Sequence, residues 1–351
     1  MNILVLPGDG IGPEITDATL AILTAVDRKL SLGLAFETVQ IGLASLATQG
    51  STCPDAVLQR IPHVDGVILG PVSHYSYPPG QPNPSAALRT GFQLYANIRP
   101  CRSRPGLSAF KPMDLVIVRE NTEGFYADRN MHAGPGEFMP DPDSAFSIRK
   151  ITAVASRRVA HAACELAAGR SGRLMAVHKA NVLKLTDGLF LREVRAAAAE
   201  YPTVTLDEVI VDAAAALLVR DPGRFDVIVT TNMFGDILSD EASELSGSLG
   251  LGGSINVGDD ICVAQAQHGS APDIQGQHVA NPTSLILSAA MLLDWRGRRD
   301  GNPALMQASG LINAAVDTVL LEPGARTRDL SGTRDTDAFA KLIVATIEAH
   351  A

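Results

Sequence analysis

From Ala153 to Leu245 the chain switches repeatedly between two kinds of apolar spacing. Helical spacing runs from about Ala153 to Ala168, Leu185 to Ala199, Ala213 to Val219 and Gly235 to Leu245. Short apolar runs lie between them, at Arg173 to His178, near Val209 and at Asp226 to Thr230. Strands alternating with helices specify an α/β fold. The N-terminal part fits the same scheme. Ile3 to Leu6, Gly66 to Leu69 and Leu115 to Val118 read as buried strands, and a helix follows the first of them to about Val26. Pro13 suits that helix's first turn, where its missing N–H is no loss. Tyr75 to Pro84 is dense in proline and reads as a loop. Asn83-Pro84-Ser85 reads as an N-cap followed by proline, opening a helix through Leu94. Gly247 to Gly253 breaks the alternation, and the last hundred residues read as mostly helical.

A chain of 351 residues is long enough for two domains or one large α/β domain. Its net charge is −9 and it has no Lys/Arg-rich run, so no nucleic-acid partner is expected. An acidic protein that binds an anion must build a local basic site against its own field, which directs attention to clustered arginines. Met1 leads straight into Asn-Ile-Leu-Val-Leu with no basic leader, and no apolar run is read as long enough to span a bilayer. A cytoplasmic protein without a membrane partner is therefore expected. Cys53, Cys101, Cys164 and Cys262 are far apart and form no CxxC, which predicts free thiols rather than a zinc site.

Five groups of polar residues fall where an α/β sheet would present them. Gly8-Asp9-Gly10-Ile11-Gly12 resembles a dinucleotide fingerprint, but Pro13 and the lack of a well-placed acid downstream break it. A tight turn lining a cleft is the better reading. Asp236 and Asp240 stand four apart on one helix face, just after a buried strand. Such oxygen ligands suit Mg²⁺ or Mn²⁺, while a solvated acidic face with Glu241 and Glu244 is the plain alternative. Lys179 follows a strand, where desolvation can fit a lysine for general-base work, although taken alone a surface lysine is the more ordinary reading. Arg89, Arg99 and Arg119, the last two ending strand-like runs, could grip a di- or tricarboxylate through bidentate forks. Asp212 follows a strand and is either a ligand or a helix N-cap. No GxSxG elbow, P-loop or HExxH occurs, against the commoner hydrolases and NTPases.

Taken in order, these segments resemble one family. They are LPGDGIGPEI from Leu6, LYANIRP from Leu94, VRENTEGFY from Val118, VHKANVLKLTDGLF from Val177, TTNMFGDILSDEASELSGSLGL from Thr230 and HGSAPDIQGQHVANP from His268. The chain resembles the isocitrate/isopropylmalate dehydrogenases, which are β-decarboxylating. The resemblance implies an isopropylmalate-dehydrogenase-like, non-Rossmann fold with a cleft between two domains. Residues 1–94 plus 248–351 would form the large cofactor-binding domain, and 95–247 the small domain with the dimer interface.

The resemblance also implies roles. Arg89, Arg99 and Arg119 would hold the carboxylates of a malate-type acid, Tyr126 would protonate the enolate, and Lys179 would serve as or assist the base. Asp212, Asp236 and Asp240 would hold Mg²⁺ or Mn²⁺. Ile11, His268, Gly269, Ser270, Ala271, Pro272, Asp273, Ile274 and Asn281 would bind NAD, with Asp273 on the adenosine ribose. A homodimer would share sites, each borrowing Lys179 and Asp212 from the neighbour.

Substrate choice in the family is read just before Arg89. The apolar leucine pair of isopropylmalate enzymes is missing, and Asn83, Ser85 and Ala86 stand there instead. Asn83 and Ser85 could bind a polar substituent, although Asn83 serves equally as a helix cap. The expected substrate is a 3-substituted malate of the 3-isopropylmalate kind. Isocitrate, homoisocitrate, tartrate and D-malate are alternatives, as is a non-catalytic regulatory paralogue.

Overall fold

The computed structural model describes residues 1–108, 110–126, 128, 130–134 and 136–350. The chain forms two compact units. One comprises Met1–Phe92, Arg104–Leu107 and Ser248–Ala351, and the other Gln93–Ser103 and Ser108–Gly247. The α/β architecture is the one the alternation predicts.

The first unit begins with β1 (Asn2–Leu6), α1 (Gly12–Leu30), β2 (Ala35–Thr38), α2 (Gly42–Gln49), α3 (Asp55–Arg60), β3 (Gly66–Leu69) and α4 (Pro84–Gly91). The second unit holds β4 (Ala96–Arg102), β5 (Asp114–Glu120), the hairpin β6 (Glu137–Asp141) and β7 (Ser144–Ser147), and α5 (Ala153–Ala168). It continues through β8 (Arg173–His178), α6 (Thr186–Ala198), β9 (Thr205–Ile210), α7 (Val211–Arg220), β10 (Val227–Thr230) and α8 (Asn232–Ser246). The chain returns to the first unit with β11 (Ile255–Val257), β12 (Cys262–Gln265), α9 (Thr283–Asp300), α10 (Pro303–Leu321) and α11 (Thr336–Ala349).

In the first unit the strands run β2-β1-β3-β12-β11, parallel except between β12 and β11. In the second they run β4-β5-β10-β8-β9, parallel except between β4 and β5. β1, β3, β8 and β10 are almost wholly buried, as strands covered on both faces must be. The second unit's core joins Leu115, Ile117, Val177, Phe225, Ile228 and Leu238 from strands, loop and helix. All four cysteines are free, as their spacing predicts, and all are buried, which pushes the Cys53 and Cys101 thiols up to about 11.

Several elements differ from the expectation. The helix opened by Asn83 stops at Gly91 rather than Leu94, and Gln93 adopts a left-handed backbone, φ 49°. Arg99 does not end its strand. β4 continues to Arg102 because its partner β5 extends back to Asp114 and offers a full antiparallel ladder. The hairpin β6/β7 and the short strands β2, β11 and β12 were not expected. The hairpin is exposed along both strands and lacks apolar alternation, and β11 is only three residues long. α10 is long and apolar enough, by length and composition, to cross a membrane, contrary to the expectation of no such run. Leu305, Ala308, Ile312, Ala315, Val316 and Val319 on it are buried beside α9 and α11, which accounts for its composition.

Candidate active site

Arg119 lies at the end of β5 and is only 1 % exposed. A buried guanidinium needs partners on every donor edge. Its Nε donates to Asn232 Oδ1 at 2.8 Å, its Nη2 to the Tyr126 hydroxyl at 2.8 Å, and its Nη1 to Asp236 Oδ1. The Tyr126 hydroxyl in turn donates to Asp236 Oδ2 at 2.5 Å. Gly235 makes room for this packing, since a Cβ there would stand 2.7 Å from Arg119 Cβ and Cγ. Asn232 opens α8 and donates its amide to Glu123 O at 2.7 Å, joining the helix start to the Tyr126 segment.

Arg99, in the middle of β4, faces the same helix. Its Nε donates to Asn97 Oδ1 at 2.6 Å and its Nη1 to Ser239 Oγ at 2.7 Å. The same Nη1 lies 3.3 Å from Asp236 Oδ1 and 3.2 Å from Asp240 Oδ1. Two carboxylates one helical turn apart thus converge on one cationic N–H, which offsets their mutual repulsion. Asp236 and Asp240 therefore belong to a charged cluster rather than to a merely solvated face. Asn97, Asn232 and Ser239 were missed in the sequence. Each neighbours a singled-out residue, and that proximity was the available signal.

Lys179 follows β8 and Asp212 sits in the first turn of α7, with Ile210 rather than Asp212 as N-cap. The Lys179 ammonium pairs with Asp212 Oδ1 and holds that carboxyl below the usual carboxylate range. The Lys179 backbone N–H donates to Asp187 Oδ2 at 2.5 Å. Among the described residues no three His, Cys, Asp or Glu side chains converge to hold a metal ion, so one chain does not bring Asp212 together with Asp236 and Asp240.

In the first unit Arg89 and Ser85 lie on α4. Both donate to Gln265 Oε1 at the end of β12, each at 3.2 Å, and Asn256 Nδ2 donates to it at 3.3 Å. Gln265 is a further residue the sequence reading missed. Asn83 Oδ1 accepts from Ser85 N at 3.0 Å and Ala86 N at 3.4 Å, so its carboxamide oxygen caps α4. Only its amide N–H groups are left to donate to a ligand.

The turn after β1 meets the loop after β12. Ile11 N donates to Ser270 O at 2.9 Å, and a Cβ on Gly10, whose φ is 58°, would lie 1.9 Å from that oxygen. Ser73 Oγ donates to Ser270 Oγ at 2.8 Å. Asp9, buried, accepts from Leu43 N at 2.7 Å, Ser73 N at 2.9 Å and the Tyr77 hydroxyl at 2.5 Å. His268 Nδ1 approaches Gly269 O at 2.9 Å, and desolvation lowers its pKa, favouring the neutral ring. Gly269, Ala271, Pro272 and Ile274 carry the loop past Ser270, with Ala271 in a left-handed conformation. Asp273 is exposed in the short turn Pro272–Ile274, and its carboxylate accepts no hydrogen bond among the described residues. Asn281 Nδ2 donates to Asp329 Oδ2 at 3.0 Å.

Guanidinium forks fixed on adjacent strands beside carboxylates and a phenol are the equipment of an enzyme acting on small carboxylic acids. The comparisons with known proteins narrow that class. A family model described as isocitrate/isopropylmalate dehydrogenase matches residues 2–343, and the chain belongs to that family. It is 41% identical over 345 residues to an isocitrate/homoisocitrate dehydrogenase of Thermus thermophilus, covering 98% of this chain and 97% of that one. It is 39% identical over 350 residues to a 3-isopropylmalate dehydrogenase of Methanothermobacter thermautotrophicus, covering 99% of each. The crystal structure of isocitrate dehydrogenase from Methylococcus capsulatus superposes with a TM-score of 0.87 at 39% identity, covering 99% of both chains. The protein is an oxidoreductase, a β-decarboxylating dehydrogenase.

Proposed function

We propose that this chain uses NAD and Mg²⁺ or Mn²⁺ to oxidise and decarboxylate a 3-substituted malate, as a homodimer with shared sites. The observation that carries this reading is the convergence of Arg99, Arg119 and Tyr126 on Asp236 and Asp240. Relatives named for isocitrate/homoisocitrate and for 3-isopropylmalate leave the substituent on C3 between those acids. Ser85 and the Asn83 amide, both polar, favour a carboxylate-bearing substituent over an isopropyl group.

The residues present fit a hard divalent cation. The donor set of Asp236, Asp240 and, from a second copy, Asp212 is all oxygen, and Asp236 and Asp240 already face a common positive charge at Arg99. When bound, the metal supplies a Lewis acid that acidifies the substrate hydroxyl and offsets enolate charge. Arg89, Arg99 and Arg119 orient the acid through its carboxylates. Lys179, in its neutral amine form, takes the hydroxyl proton as hydride leaves C2. CO₂ then departs from the carbon β to the new ketone, and Tyr126 gives its proton to C3. That proton lies on the bond to Asp236, with Arg119 donating to the same oxygen, which stabilises the phenolate left behind.

The unit built from both ends of the chain would bind NAD through Ile11, His268 to Ile274 and Asn281. When bound, NAD would supply the hydride acceptor. The loop's fixation to the first turn through Ser270 supports this role.

The test is NADH release with Mn²⁺ across isocitrate, homoisocitrate, 3-isopropylmalate, tartrate and D-malate, with and without chelator. Turnover of at least one acid, abolished by chelator and restored by Mn²⁺ or Mg²⁺, is expected. Full activity in excess chelator, or no turnover of any acid, refutes the reading.

A further inference from the structure

Arg149 lies between β7 and α5, outside every segment that carries the site. Its side chain is 6 % exposed and pairs with Asp187, which is fully buried. Asp187 uses its other oxygen to accept from Lys179 N at 2.5 Å. Arg149 Nη1 also donates to Thr186 Oγ1 at 2.8 Å, and Nη2 donates to Thr231 Oγ1 at 3.0 Å. The guanidinium stands 5.4 Å from the Phe125 ring centroid and 5.3 Å from that of Phe234. Phe125 adjoins Tyr126, and Phe234 precedes Asp236 by two residues. One cation therefore touches the Tyr126 segment, the start of the helix bearing Asp236, and the carboxylate that fixes the Lys179 backbone.

Stability alone is a poor account of this placement. Thr186 is the first residue of α6 and Thr231 the N-cap of α8. A positive charge at two helix N-termini opposes both helix dipoles. Thr231 also makes no side-chain capping bond to its own helix. Buried ion pairs contribute little net stability, because desolvation offsets their attraction. What the arrangement does provide is geometry, with three chain segments indexed to one planar, five-donor group.

We infer that Arg149, acting through Asp187, is a positioning residue that sets Lys179 and Tyr126 for proton transfer. This inference rests on the proton-transfer roles proposed above for those two residues. It names no new group at the reacting atoms. Arg149 controls where the proton acceptor and donor stand and leaves acid, NAD and metal to their own ligands.

The test is steady-state kinetics of the metal-loaded enzyme for Arg149→Met, Arg149→Lys and Asp187→Asn, with metal Kd by titration calorimetry and Tm by calorimetry. Misplacing a catalytic group by about 1 Å lowers rate on the order of a hundredfold. Arg149→Met is therefore expected to lose roughly a hundredfold in kcat, with KM for acid and NAD and the metal Kd within about threefold of wild type. Arg149→Lys keeps charge, the Asp187 pairing and ring contact, and should recover to within about tenfold of wild-type kcat. Asp187→Asn keeps an acceptor for Lys179 N but not the ion pair, and should fall between these two.

The positioning role is overturned if folded Arg149→Met keeps kcat within about threefold of wild type. It is equally overturned if kcat, both KM values and metal Kd deteriorate together with no recovery in Arg149→Lys. Should Arg149→Met fail to fold, Arg149→Lys and Asp187→Asn decide on the same criteria. A wild-type enzyme that turns over no acid removes the proposed function and this role with it. An active wild type with an unaffected Arg149→Met removes the role alone.

Discussion

The Tyr126 hydroxyl donates to Asp236 at 2.5 Å while Arg119 donates to the same hydroxyl oxygen at 2.8 Å. A phenol so held has its proton on a defined axis and its conjugate base stabilised by a guanidinium. Tyr126→Phe removes the proton and leaves both partners. Full turnover is expected to fall by about 10²–10⁴-fold, while reduction of an added 2-oxo acid by NADH falls much less. Equal losses in the two assays would mean that Tyr126 acts in hydride transfer as well.

Sharing of sites between two copies has its own signature. In the proposed homodimer, Lys179→Met and Tyr126→Phe would each disable both sites. Mixed dimers contain one site that has neither lesion if Lys179 serves the neighbour's Tyr126. Subunit exchange in an equimolar mixture makes about half the dimers mixed, so roughly a quarter of wild-type activity should return. A mixture as inactive as its components would place Lys179 and Tyr126 of one chain in one site.

Gly235 sets helix propensity against packing. Alanine in a helix interior is favoured over glycine by about 1 kcal/mol, yet its Cβ would overlap Arg119 Cβ and Cγ at 2.7 Å. Gly235→Ala should raise KM for the acid at least about tenfold, because the arginine proposed to hold its carboxylate is displaced. Its Tm should not rise. An unchanged KM would show that Arg119 does not touch substrate.

Asp273 presents an exposed carboxylate in the loop assigned to NAD. The 2′-phosphate of NADP would be repelled there, whereas the ribose hydroxyls of the proposed NAD would donate to it. A preference for NAD of on the order of a hundredfold in kcat/KM is expected, reduced or reversed in Asp273→Lys. Comparable use of both cofactors by wild type would remove Asp273 from this role.

Glu123 supplies a test through pH. Burial pushes its carboxyl up to about 7 from an ordinary 4.5, opposed by hydrogen bonding from Thr152. The folded state then binds more protons than the unfolded state between those values. Stability from this group is present below pH 4.5 and is lost as pH rises through 7. Glu123→Gln should therefore be more stable than wild type at pH 8, by about 1–2 kcal/mol after solvent screening, and not at pH 5. The same offset at both values would mean that Glu123 does not titrate between them.

The sequence shows the α/β alternation clearly because β1, β3, β8 and β10 are solid apolar runs with helices between. It hides β11 and β12, which are three and four residues long, and the hairpin β6/β7, whose residues are exposed and mix polar and apolar types without alternation. Asp236 and Asp240 were legible as a pair from their spacing. That they converge on Arg99 was not, since the partner lies 141 residues from Asp240 and in the middle of a strand taken to end there. Arg149 and Asp187 were illegible for a related reason. An Arg before Lys150 and an Asp opening a helix look like ordinary surface charge until the fold buries both.

Asp9 gives the first turn a further meaning. Its carboxylate accepts from Leu43 N, the second amide of α2, whose own N-cap Ile41 has no capping side chain. Glu14, in the first turn of α1, accepts from Gly276 N at 2.5 Å. Both helix starts nearest this glycine turn thus carry an anion supplied by the chain itself. In a phosphate-binding glycine turn the amides and the helix dipole are left for the ligand. Here a diphosphate would meet two buried carboxylates. The GDGIG sequence is accordingly an internally neutralised turn packed against α2 and the 268–274 loop, its glycines answer to backbone crowding rather than to phosphate, and the proposed NAD would meet it through Ile11 and not through its diphosphate.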